Sequence, residues 1–326
     1  MAPLIIFRSA ALLTSLALLM PGPAAAQLDA YPNKPITIVV GYPAGGSTDL
    51  TGRVLGAELS RKLGVPVVID NVGGAGGAIG AQKVANAAPD GYTLLVGASN
   101  EIAISRLVSS TVKYDIKDFT PIGMIAAQPM VLVASQKSGV KTIEQFLRQV
   151  SQNPGKFSYG SSGVGTALHL AGEMVKDQGG LFMTHIPYRG VAPLANDLLG
   201  NNIDFGVFVM SSGLPHIRSG KVVALGTTEA RRSPTTPEIA ALAETPKLKG
   251  IDINIWFALM GPARMPEPVV AKLKKALNDS LQTIELRKKL EDSGSTVSPL
   301  NVDMPGFLKQ ETAKYQRIVD FAKIKE

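Results

Sequence analysis

The 326-residue chain contains no cysteine. That excludes a disulfide framework, thiolate metal sites and a cysteine nucleophile, and with them a lipid-modified cysteine as membrane anchor. Histidine is nearly as scarce. His169, His185 and His216 lie far apart in sequence, no H-E-x-x-H occurs, and no group of residues has metal-ligand spacing. The phosphate loop G-x-x-x-x-G-K-[ST] and the nucleophile elbow G-x-S-x-G are both missing. Gly160, Gly163 and Gly165 do not make G-x-G-x-x-G, and no strand-end acid follows a glycine loop at the dinucleotide spacing. No pair of carboxylates stands out for acid–base work. These absences point to a non-catalytic protein without cofactor or metal.

Aromatic residues make up only 6% of the chain, and the net charge of +7 is not interleaved with them as a base-stacking surface requires. The excess cations (Lys272, Lys274, Lys275, Arg287 to Lys289, Lys309 to Lys325) fall on polar faces of expected C-terminal helices. They read as solvated faces, not as a nucleic-acid surface. The one long apolar run is N-terminal. Ser9 to Met20 follows Arg8, is too short for the roughly 20 residues of a membrane span, and ends at Pro21 to Pro23 before Ala24-Ala25-Ala26. This is the pattern of a signal peptide over residues 1–26, cleaved after Ala26 and exporting a mature chain to the periplasm.

What is present is an alternation of short apolar runs with helical periodicity, which implies an α/β sheet. Ile36 to Val40 reads as a buried strand, and Leu50, Val54, Leu55 and Leu59 mark the helix after it. Ile122 to Ala134 reads as a long strand or a strand pair interrupted at Pro129. A helix is expected over Glu238 to Ala243. A mature chain of about 300 residues exceeds what one core usually fills. The expected organisation is therefore two lobes joined by crossover strands, with the ligand cleft between them. Residues 27–126 and 228–326 form the discontinuous first lobe, and 127–227 the second.

A strand–loop–helix unit with a Gly/Ser loop occurs twice, at Val40 to Asp49 and at Ser158 to Thr166. In open α/β sheets ligands sit beyond the carboxyl ends of strands, where a helix start offers unpaired N–H groups and a positive dipole end. Glycines let the backbone approach a ligand, hydroxyls add donors, and the combination suits an anion. Each loop taken alone is equally an ordinary turn with Ser47 or Asp49 capping a helix. A third run, Gly73 to Gly80, reads as a turn and a close-packing element. His169, in the first turn of the second helix, reads either as a donor to a carboxylate or as a half-buried cap residue. Arg189 reads either as a charge at the site or as an exposed arginine.

At these loops the sequence resembles the Bug/TctC family, the extracytoplasmic receptors of tripartite tricarboxylate transporters. Tyr31 to Ile36 is similar to the family's YPxKPI, and Val40 to Arg53 to VPFxPGGxxDxxAR. Asp70 to Gly80 resembles (E/D)NxxGAGGxxG, and Ala88 to Leu95 resembles APDGYTLL. His185 to Gly190 (HIPYRG) and Leu214 to Ile217 (LPHI) continue the pattern. The resemblance implies a two-lobed fold of the type II periplasmic-binding-protein kind. It also implies a small organic carboxylate ligand (di-, tricarboxylic or aromatic) and a membrane permease as partner of a monomeric receptor. A sensor subunit signalling to a membrane kinase fits the same pattern. The expected ligand-binding residues are Tyr42, Ala44, Gly45, Gly46, Ser47, Asp49, Ser99, Asn100, Ser161, Ser162, Gly165, Thr166, His169, Arg189 and Phe208. Phe208 is a departure, because it replaces the later acid of the family's VDLMFDN. Phe208 reads either as an apolar wall at the cleft, against a ligand that is not an amino acid, or as a residue packed in the core.

Overall fold

The computed structural model describes residues 31–324. The expected leader and its cleavage after Ala26 lie outside the described residues. From Pro32 onward the chain forms one unit built on a curled mixed sheet. β1 (Ile36–Val40) pairs in parallel with β2 (Val67–Asn71) and β3 (Thr93–Ala98). β3 then pairs antiparallel with β9 (Asn254–Pro262). The sheet continues through β4 (Phe119–Ser135), β7 (Phe205–Val209), β5 (Ser158–Ser161) and β6 (Thr184–Pro187). Two more strands, β8 (Val222–Thr227) and β10 (Thr296–Val297), lie on β4.

β4 is one strand of 17 residues, not an interrupted pair. Its first part pairs with β9 as far as Pro129 opposite Asn254, and its second part pairs with β7 and β8 from Met130 or Val131 onward. Pro129 therefore sits where the strand changes partners, at the place where a missing N–H costs least. The chain returns at Thr228. There Thr228 N donates to Met130 O at 2.9 Å, and Thr228 Oγ1 donates to Ile253 O at 2.6 Å.

The helices that matter for the site begin at strand ends. α1 (Ser47–Leu63) follows β1 and stops at Gly64, whose φ of 72° supplies the left-handed cap. After α2 (Ala78–Ala85) and β3 come a π turn (Asn100–Ile104) and the short α3 (Ser105–Val108). α4 (Ile143–Gln152) precedes β5, and α5 (Ala167–Gly179) follows it with Thr166 as N-cap. α6 (Val191–Leu199) and α7 (Met210–Arg218) flank β7. α8 (Glu267–Leu281), α9 (Ile284–Asp292) and α10 (Met304–Ala322) complete the chain. The helix expected at Glu238 to Ala243 is absent. Two 3-10 turns, Leu242–Glu244 and Pro246–Leu248, lie there instead, bracketed by Pro237 and Pro246. Among the described residues no helix is long and apolar enough to cross a membrane.

Candidate functional site

The loop after β1 is organised from behind by Asp49. Its Oδ2 accepts from Gly45 N and Arg53 Nε, both at 2.9 Å, and its Oδ1 accepts from Asn71 Nδ2 at 2.9 Å. Burial pushes its pKa up, but the bonds from Arg53, Gly45 and Asn71 prevail and the net shift is downward. Both oxygens are thus engaged within the protein, and Asp49, expected as a ligand contact, shapes the loop from behind. Ala44, Gly45 and Gly46 are exposed on that loop, and Ser47 opens α1 half-buried. Gly46 is the N-cap and no side chain caps the helix, so the first N–H groups of α1 remain open on the loop side. The third glycine run packs behind this loop. A Cβ on Gly41 would lie 2.7 Å from Gly77 O, so only glycine permits the two backbones to pass this closely.

The loop after β5 is braced by its own side chains. Ser161 Oγ stands 2.7 Å from His185 Nε2 and 3.1 Å from Gly163 O. Thr166 Oγ1 donates to Gly163 O at 2.8 Å, and Ser162 Oγ reaches Thr166 Oγ1 at 3.3 Å. Gly165 N donates to His169 Nδ1 at 3.1 Å. The His169 ring is buried and stacks on His185, centroids 3.9 Å apart and 9° from parallel. Burial pulls the two imidazoles down, to about 4 for His169 and about 3 for His185. With Nδ1 accepting from its own loop, His169 carries its proton on Nε2, 3.8 Å from Glu173 Oε1, and its burial matches the cap reading of its place in the helix. Ser161, fully buried, is likewise a brace. The segment after β6 joins this loop through Tyr188 N to Ser161 O at 3.0 Å and Gly190 N to Ser162 O at 3.2 Å. Arg189 lies exposed between these two bonds, at the flank of the loop.

Asn100 ties the two loops together. Its Oδ1 accepts from Ala167 N, the first residue of α5, at 2.8 Å, and its Nδ2 donates to Tyr42 Oη at 3.2 Å. Ser99 beside it is fully buried. A Cβ on Gly165 would lie 2.5 Å from Val108 Cγ2, so the second loop packs directly on α3. Asn100 therefore links the two glycine loops, through the Tyr42 side chain at the first and the start of α5 at the second. Phe208 does not join them. It is 1% exposed and belongs to a core cluster with Val131, Val133, Leu194, Leu198 and Leu214, and the apolar wall expected of it is interior packing. Glu101, Asn71 and His185 were not among the expected residues. Glu101 gave one signal, an acid one step from Ile102, Ala103 and Ile104, where an exposed turn would be polar.

Two concavities, of about 430 and 590 Å³, lie elsewhere, around α8 and α10. Glu267 and Asp303 line the first, and Asp303 caps α10 by accepting from Gly306 N at 3.3 Å. A carboxylate already fills the place where an anion would sit, and the glycine loops are the better site on chemical grounds.

An α/β sheet whose two parts share β4, with one glycine loop opening a helix in each part and the loops linked through Asn100, defines a solute-binding protein of the periplasmic-receptor class. Residues 51–324 match the model of the tripartite tricarboxylate transporter family receptor, and the chain belongs to that family. The periplasmic binding protein BugD is 32% identical with a TM-score of 0.82, over 90% of this chain and 99% of its own. A protein of R. palustris solved with adipate is 30% identical, TM-score 0.84, over 90% and 99% of the two chains. MatC of Rhodopseudomonas palustris, solved with malate, is 28% identical, TM-score 0.80, over 89% and 100%.

Proposed function

We propose that this protein captures a small organic carboxylate in the periplasm and delivers it to the permease of a tripartite transporter. The observation that carries the proposal is the linkage of two glycine loops through Asn100, one of them ending in a helix start that no side chain caps. On this reading residues 1–26 are a leader cleaved after Ala26. Residues 27–126 with 228–326, and residues 127–227, are then lobes that close on the ligand about the partner exchange at Pro129 and the return at Thr228. Carboxylates in the R. palustris relatives, adipate and malate, support the ligand class. The interior position of Phe208 removes the reason for favouring an aromatic acid, so di- and tricarboxylates come first.

The energetics suffice without an ion pair. A helix start contributes about 0.3–1 kcal/mol, and each charge-assisted hydrogen bond about 1.5–3 kcal/mol. Micromolar affinity needs about 8 kcal/mol, which four or five converging donors supply. Arg189, at the flank of the second loop, adds long-range attraction for an anion. The test is a thermal-shift screen with adipate, malate, citrate and benzoate. A dicarboxylate at about 100 times its Kd stabilises by about 2.7 kcal/mol, a rise of about 5 °C for a chain of this size. No shift with any acid, at millimolar concentration, refutes the proposal. Transport by the reconstituted permease, dependent on the receptor, tests delivery.

A further inference from the structure

Tyr42 Oη has more oxygen neighbours than its single proton can serve. It lies 2.8 Å from Gly76 O and 2.6 Å from Glu101 Oε2, with Asn100 Nδ2 at 3.2 Å. Asn100 is fixed in orientation, because its oxygen must face the N–H of Ala167. Its amide therefore donates to Tyr42. Gly76 O only accepts, so Tyr42 must give it the proton, and the contact with Glu101 then needs a proton from the acid side. Glu101 Oε1 is meanwhile fixed by Ala98 N at 2.6 Å.

We infer that Glu101 is held as the neutral acid and, through Tyr42 and Asn100, acts as a positioning residue that sets the spacing of the two ligand loops. The inference rests on the receptor reading above. The full chain of donation runs from Glu101 to Tyr42 to Gly76, with Asn100 joining Tyr42 to the start of α5. Gly77 makes room for it: a Cβ there would lie 2.8 Å from Glu101 Oε2 and 2.9 Å from Tyr42 Oη. Glu101 is 1% exposed, and burial lifts its carboxyl to about 7.

Burial favours the neutral form and outweighs the hydrogen bonds at Tyr42 and Ala98 N, which favour the ionised one. Tyr42 stays protonated, its pKa raised first by burial and then by Glu101. Tyr114 Oη donates to the main-chain oxygen of Glu101 at 2.6 Å, and its own pKa is raised by burial. The turn Ala75–Gly77 and β3 present backbone only. α10, packed on the same π turn, carries Glu311, which is paired with Lys314 and bonded by Trp256 and Tyr315. From α2, Lys83 pairs with Asp70, and from α3 the exposed Arg106 bonds Val112 O. No cation among the described residues forms an ion pair with Glu101.

Ionisation would turn the Tyr42 proton toward the carboxylate, leave Gly76 O unserved and set a buried negative charge beside the anion site. The pKa is raised, so the favourable neutral form holds at low pH and is lost as pH rises through about 7. Carboxylate affinity falls with it, by up to about tenfold per pH unit above that value. The two buried histidines ionise far lower, whereas Glu229, also raised by burial to about 7, titrates in the same window, so the comparison with Glu101→Gln is what assigns the effect to Glu101.

The test is calorimetric titration of adipate, malate and citrate from about pH 6.5 to about pH 8.5, on the mature wild type and on Glu101→Gln. A glutamine accepts from Ala98 and donates to Tyr42 as the neutral acid does. Wild-type affinity should fall over that range, while Glu101→Gln matches the wild-type value at the low end and stays flat. The infrared difference spectrum, wild type minus Glu101→Gln at about pH 6.5, should show a protonated-carboxyl C=O band in which the contribution of Glu229 cancels, a readout needing no ligand. Equal, pH-independent binding by both proteins, or absence of that band, overturns the inference. If none of the three acids binds either protein at the low end, the receptor reading fails, and the band alone decides the state of Glu101.

Discussion

Replacing Asp49 by alanine separates a residue that builds the ligand loop from one that touches the ligand. The substitution removes three bonds to a carboxylate whose side chain is 4% exposed. The partners Gly45 N and Asn71 Nδ2 each lose a charge-assisted bond, discounted from about 1.5–3 to about 1–1.5 kcal/mol because Gly45 is exposed and Asn71 half-buried, so that water replaces part of it. Arg53 is half-exposed, so solvent screens its ion pair and its share is small beside the other two. The expected loss of stability is about 2–3 kcal/mol, read by urea unfolding near neutral pH. The carboxyl is held below its ordinary value of 3.8, so the contribution is complete above that value and is lost as pH falls through the lower one in the folded protein. Loop order and carboxylate affinity should suffer together, the latter by at least about tenfold. Asp49→Asn should fall between, since one oxygen must serve two N–H donors and its NH2 faces a third. The reasoning is refuted if Asp49→Ala unfolds within about 0.5 kcal/mol of wild type yet binds no carboxylate, because that result would make Asp49 a direct ligand contact.

Gly46 and Gly165 should respond in opposite ways to a methyl group. Gly46 has φ −81° and nothing closer than Pro43 O at 3.8 Å, so Gly46→Ala should unfold like wild type while weakening carboxylate binding, measured by calorimetry on the same sample. Gly165 combines φ +67° with Val108 Cγ2 at 2.5 Å, so Gly165→Ala should lose about 1–3 kcal/mol and disturb both loops. Phe208→Leu should cost about 1–2 kcal/mol by core repacking and leave the ranking of carboxylates unchanged. A changed ranking in that variant would put the ring back at the site.

The alternating order of strands and helices was legible because the buried parallel strands are short apolar runs bounded by glycine and proline. ITIVV at Ile36–Val40 is the clearest case, and it is buried at four of five positions. Where local preference and tertiary packing disagree, the sequence misleads. α7 contains Gly213 and Pro215, poor helix residues, yet it forms because Met210, Gly213 and Leu214 seat against the core. Pro129 signals a break in any strand read alone. It causes none here because β4 exchanges partners at that residue, and a change of partner is a property of two other strands.

The same distinction governs the site. Glycine loops and caps are local chemistry, so Gly45, Gly46 and Thr166 could be placed from their immediate neighbours. The direction of a side chain could not. Asp49, His169 and Ser161 stand in ligand-loop positions but turn inward, because a loop rich in glycine has few side chains of its own to fix it and must borrow polar ones from the adjoining helix and strand. Each inward turn takes up a main-chain N–H of its own loop: Gly45 N, Gly163 N and Gly165 N donate to Asp49, Ser161 and His169. Asn100, 58 residues from Tyr42 and 67 from Ala167, joins the loops by contacts that no local pattern encodes. On the proposed reading, the recognisable side chains of the two loops serve as scaffolding that fixes the backbone around the ligand.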